Sequence, residues 1–155
     1  MEPGYIDGHQ GEWLSTPEQF EENARVFWNK GYAIHVHCTG DLGLELAVDT
    51  LEKMQDEKPR FNHGYTIDHI NMASPEDIRK AANLGADASV MIWPLLSVGE
   101  IFSDKVLGAD RTAMGFPLQT ILDNDIILAL HADTPVSPPQ PLALVWLVVN
   151  RKTAS

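Results

Sequence analysis

Between residues 16 and 31 the apolar side chains Phe20, Ala24, Phe27 and Trp28 follow the spacing of one helix face. Thr16 is placed to cap that helix, Pro17 to start it, Gln19 to complete a capping box and Gly31 to stop it. At residues 32–38, YAIHVHC, the period changes. The segment is short, β-branched and aromatic, and it predicts a buried strand. The helical period returns over residues 41–55, with Leu44, Ala47, Val48 and Leu51 on one face and Asp41 as the favoured cap. Residues 64–70, GYTIDHI, predict a second strand. Residues 74–85 predict a helix capped by Ser74 and started by Pro75, with Asp77 at the capping-box position and Gly85 at its end. Residues 87–94, DASVMIWP, predict a third strand, and residues 96–115 a long loop. A short helix over 117–124 leads into residues 125–133, DIILALHAD, the most hydrophobic strand. A Pro-rich loop over 134–141 precedes a last helix over 142–152.

The order is α-βα-βα-βα-βα, an α/β fold in which crossover helices join parallel strands. A doubly wound sheet and a (β/α)-barrel both fit. In either, function gathers at the C-terminal ends of the strands. The first strand ends in His35-Val36-His37, the second in Asp68-His69, the third in Trp93-Pro94 and the fourth in His131-Ala132-Asp133. A lone histidine at a strand end is more often a satisfied polar residue than a ligand. Imidazole at three of four ends, two of them with a carboxylate, shifts the balance toward a metal or proton-transfer site. His35 and His37 share a sheet face, with His37 nearer the functional end and His35 one layer deeper. Cys38 then points the other way, toward the helices, as a buried small residue rather than a thiolate. His9 and His63 fall in loops and read as surface residues. Trp93 is placed to line a pocket, and Asp133-Thr134-Pro135 can equally be a turn.

Composition narrows the partners. With 22 acidic and 11 basic side chains the 155-residue chain carries a formal charge of −11. That argues against nucleic acid or an anionic membrane surface, and says little about a small-molecule substrate. One cysteine excludes an internal disulfide. The N-terminus does not read as a signal peptide, and the longest apolar run, Leu142 to Val149, falls far short of the ~20 residues of a membrane span. A cytoplasmic location is the expectation. Neither a Gly-x-Ser-x-Gly elbow nor a phosphate loop is present, which leaves a metal-free doubly wound hydrolase little support.

Three segments together resemble amidohydrolase family 3, metal-dependent hydrolases that include N-substituted formamide deformylase. HVHCTGDLGLELAVDTLE looks like the His-x-x-Gly-Asp motif at barrel strand five. TIDHINMASPEDIRKAANLGADASVMIWP looks like strand six, its Pro-Glu-Asp-Ile helix and strand seven. LALHADTPVSPPQPL looks like the strand-eight His-x-Asp-x-Pro-Val motif. The resemblance runs from about Gly11 onward. It implies that His37 and His69 are metal ligands. It also implies that Asp133 is both a ligand and the group that takes a proton from the attacking water. His35, Trp93 and His131, read from their places at the strand ends, are expected in supporting or substrate-binding places. The implied cofactor is a divalent metal, most simply zinc, as one or two ions. The implied reaction is hydrolysis of an amide or cyclic amide C–N bond.

The family's opening His-x-His strand and its strand-four carboxylate or lysine have no counterpart before Gly11. A (β/α)8 barrel normally takes ~250 residues. The expectation for residues 1–155 is therefore a single partial TIM barrel. Its four βα units correspond to strands five to eight, and the N-terminal half is absent. Such a half-barrel leaves two sheet edges and an inner face open. A second copy or a separate N-terminal half would close it. The rival reading is a non-catalytic α/β fragment or binding module that keeps the ligand residues without a working site.

Overall fold

The computed structural model describes residues 4–153. The first helix, α1 (Pro17–Asn29), begins as its sequence dictates. The Thr16 hydroxyl accepts from the Gln19 N–H, and the Gln19 side chain accepts in return from the Thr16 N–H. Strand β1 (Ile34–Cys38), helix α2 (Asp41–Glu57), β2 (Tyr65–His69), α3 (Pro75–Asn83) and β3 (Asp87–Val90) follow in strict alternation. Ser74 caps α3, accepting from the Asp77 N–H. The last strand, β4 (Leu128–Leu130), is followed by α7 (Pro141–Asn150). The four strands are parallel and lie in chain order, β1-β2-β3-β4. Four parallel strands alternating with helices are the architecture of a partial (β/α)-barrel. None of the described helices is long and apolar enough to cross a membrane.

Between β3 and β4 the expected picture changes. Residues 96–115 are not a loop. They form α4 (Trp93–Ile101), a π-helical turn over Phe102–Val106 and α5 (Ala109–Met114), with α6 (Leu118–Asp123) beyond. The apolar positions here are too dense to show a helical period, so burial of Leu95 and Gly99 sets the conformation. The third strand is correspondingly shorter than expected. It stops at Val90, and Trp93 opens α4 and packs against the core instead of standing at a strand end. The fourth is trimmed to three residues.

The core lies between the sheet and its helices. Val36, Cys38, Ile67, Ala88 and Val90 meet Trp28, Leu44, Val48, Leu51, Met54 and Ile78, all buried. The polar tips of buried aromatics are satisfied: Tyr65 Oη donates to the Ala47 carbonyl at 2.9 Å and Trp28 Nε1 to the Lys58 carbonyl at 2.9 Å. His63 is not on the surface, as its loop position suggested. It is 4% exposed, packs against Trp28, accepts from the Tyr65 N–H at Nδ1 and donates from Nε2 to the Leu84 carbonyl at 2.9 Å. A polar ring with both nitrogens paired is inexpensive to bury. It ties the strand-entry loop to the end of α3, at the end of the sheet remote from the C-terminal strand ends.

Candidate active site

Side chains alternate along β1. Val36 and Cys38 face the helices, and His35 and His37 face the open side of the sheet. Burial pushes the Cys38 thiol up to about 12, with the Asp41 and Asp77 charges adding to the shift, so Cys38 is an inert thiol at neutral pH. On the open face His35 Nδ1 lies 3.5 Å from Asp68 Oδ2 of the neighbouring strand.

His69 does not follow alternation. The register sets it beside Cys38, which would send its ring to the covered side. Instead the backbone enters the left-handed region at His69 (φ 75°) and Ile70 (φ 46°). For a β-branched residue such as Ile70 that conformation is strained, and strain of this kind collects at functional sites. The turn re-aims the ring. His69 and His37 meet with centroids 4.3 Å apart, and His69 and His131 with centroids 4.9 Å apart, both edge to face. His131 lies just past β4, its N–H bonded to the Val90 carbonyl. Asp133 follows in the same conformation (φ 52°), exposed at the strand end. Three strand ends therefore bring three imidazoles into one row. Trp93 is not among them.

Burial lowers the His69 pKa. The neighbouring His37 and His131 lower it further, against a smaller opposing pull from Asp133 and Asp68. A neutral imidazole is the ligating form. His131 Nε2 is buried without a hydrogen-bond partner. These donors have the chemistry a divalent metal needs. Among the described residues, however, no three His, Cys, Asp or Glu side chains close around one point.

A cavity of about 410 Å³ opens beside His37. Its walls come from the end of β1, the loop after β2, the α4–α5 segment and residues 4–15. Arg111 on α5 reaches across it to Asp41, Nη2 to Oδ2 at 3.0 Å. Asp41 is thus the first residue of α2 and an ion-pair partner; its side chain caps no later turn of the helix, and the N-cap position belongs to Gly40. Arg111, Asn71 and Thr112 were not legible as site residues. The one local hint is a single arginine set between Gly108 and Gly115 in an otherwise uncommitted stretch.

The family model for the amidohydrolase family matches residues 4–155. Protein LONG AFTER FAR-RED 3 of Arabidopsis thaliana is 25% identical over 150 residues, covering 95% of this chain and 26% of that protein. YtcJ of Bacillus subtilis (strain 168), provisionally named an amidohydrolase, is 27% identical over 125 residues, covering 81% of this chain and 23% of its own. The chain thus spans about a quarter of the length of these curated relatives. The crystal structure of a metal-dependent hydrolase from Pyrococcus furiosus superimposes with a TM-score of 0.79 at 21% identity, over 97% of this chain and 31% of that one. At that identity the likeness establishes the fold.

Proposed function

The chain belongs to the amidohydrolase family, and from that premise we propose that it supplies strands five to eight of a metal-dependent hydrolase barrel acting on amide or cyclic amide C–N bonds. N-substituted formamides are the first substrates to try. The observation that carries this reading is the strained turn at His69, which gives up regular strand geometry to set its ring against His37. His37 and His69 would hold the metal, with Asp133 beside them and zinc the first ion to test. Bound there, a divalent cation supplies Lewis acidity and a water acidified toward neutral pH. Asp133, exposed at its strand end, takes the proton of the attacking water and passes it to the leaving nitrogen. His35 stands one position deeper against Asp68 and holds the floor of the site.

The donor set is open among the described residues, so these residues alone bind metal weakly and turn substrate over slowly or not at all. The same observation favours the second reading, a module that keeps its ligand residues without catalysis. Metal analysis by mass spectrometry, with oligomeric state recorded on the same preparation, separates the two. In the hydrolase reading, bound metal falls to background in His69→Ala. Equal metal content in the variant and the parent rejects it.

A further inference from the structure

Helix α5 (Ala109–Met114) contributes Arg111 and Thr112 to the wall of the cavity beside His37, yet it has no buried residue of its own. A helix of six residues is too short to hold itself in water, so its neighbours must keep it in place. Across the cavity one ion pair does so. Arg111 Nη2 donates to Asp41 Oδ2 at 3.0 Å, joining α5 to the first residue of α2. Other ties lie beyond the two ends of α5. Before it, the Ile6 N–H donates to the Val106 carbonyl. After it, the Asn71 carbonyl accepts from the Phe116 N–H, and Arg151 donates to the Gly115 and Phe116 carbonyls. Gly108 and Gly115 bracket the helix. Gly108 stands in the left-handed region (φ 81°), two residues past the π-helical turn. A glycine there leaves the backbone free to change course, and π-turns interrupt the regular helical ladder.

Unpaired groups work against the latch. Six side-chain polar atoms among the described residues are buried without a hydrogen-bond partner, and four belong to this contact: Arg111 Nε, Arg111 Nη1, Thr112 Oγ1 and Asn71 Oδ1. Three of the four are carried by α5. Sealed from water and unpaired, each makes the closed arrangement costly, and water reaches them once α5 lifts. A charge-assisted hydrogen bond therefore holds α5 down while desolvated polar atoms favour its release. We propose that α5 is a hinged flap over the cavity beside His37, latched by the Arg111–Asp41 pair, and that its opening admits small molecules to that cavity. The flap requires no metal at His37 and His69, so it stands apart from the hydrolase reading.

Hydrogen exchange, read by mass spectrometry on the full chain, follows the flap, and labelling of Cys38 with methyl methanethiosulfonate at one fixed pH follows entry. Cys38 lines the cavity and is 4% exposed, so it reacts only when the cavity opens. Arg111→Gln removes the latch. Exchange over residues 109–114 should then quicken about tenfold or more, Cys38 labelling should rise by a similar factor, and exchange in α3 should stay as in the parent. Asp41→Asn breaks the pair from the other side and carries the exchange test if circular dichroism shows that Arg111→Gln does not fold. Labelling is compared in Arg111→Gln alone, because Asp41 itself acts on the Cys38 thiol. Exchange over 109–114 unchanged in a folded variant would overturn the proposal. So would an equal acceleration in α3, which means general loosening, or faster exchange with Cys38 labelling unchanged, which means that α5 does not control entry.

Discussion

Along β1 two kinds of surface are made from alternate residues of one strand. Val36 and Cys38 are pressed against the helices, 6% and 4% exposed, while the His35 side chain, one residue away, is 64% exposed. The covered face is held by volume: Leu44, Val48, Leu51 and Met54 of α2 leave almost no exposed surface. The open face carries the chemistry, His35, His37 and Asp68, and has little packing of its own. What differs is the solvent each face was built for. The covered face excludes water, so its groups are inert. The open face keeps imidazole and carboxylate available at the strand ends, where the backbone takes on strain at His69, Ile70 and Asp133.

The largest effect that tests this contrast is the reactivity of Cys38. With its pKa raised by burial from 9.0 to about 12, the thiolate fraction at pH 8 falls about a thousandfold relative to an unburied cysteine. Labelling by a thiol reagent should be slower in the folded chain than in denaturant by at least that factor. Because the folded pKa is raised, this burial stabilises the fold fully below the unfolded pKa. The contribution is lost as pH rises through the folded value, between about pH 9 and pH 12. Rapid labelling of the folded protein would mean that the covered face is not closed.

Next in size is Leu51→Ala on α2. The side chain is fully buried, and its loss removes both transfer energy and packing, for about 3 kcal/mol. Equilibrium denaturation in urea measures it. A cost under about 1 kcal/mol would show a core able to collapse around the gap.

The two faces also differ in how far the sequence reveals them. Helices α1 and α3 are legible because their signals are local: Thr16-Pro17 with Gln19, and Ser74-Pro75 with Asp77, act within one turn. The alternation of β1 is legible for the same reason, and with it the separation of His37 from Cys38. Three features were not. The burial of His63 depends on Trp28 and on the Leu84 carbonyl, tens of residues away in either direction. Asp41 reads as a helix cap until Arg111, seventy positions on, claims its carboxylate. His69 reads as one more strand residue, because periodicity carries no sign of the left-handed turn that brings its ring to His37.

That turn sets the third prediction. If His69 is a ligand as proposed, His69→Ala should weaken cobalt or zinc binding by about tenfold or more, since removing a ligand costs at least as much as removing its support. Titration followed by the cobalt absorption bands reads it directly. His69 is partly released from strain by nothing in the substitution, as alanine meets the same positive φ, so the thermal midpoint should not rise. An unchanged metal affinity would separate the strained turn from metal binding and move the open face toward the non-catalytic reading.

The smallest expected effect is the most discriminating for the open face. His35 is well exposed, and among the described residues it pairs with Asp68 at 3.5 Å. Exposed pairs of this kind contribute little, so His35→Ala should change stability by less than about 0.5 kcal/mol in a monomeric preparation. The comparison turns on concentration. If a second copy or a separate half covers this face, His35 becomes an interior residue of the closed assembly. Its removal then lowers the unfolding midpoint by an amount that grows with protein concentration. Measuring the parent and His35→Ala across a hundredfold dilution series decides between these cases. A small, concentration-independent difference keeps the open face open. A difference that grows with concentration makes it an interface, and the contrast between the two faces of β1 then describes one protomer rather than the working assembly.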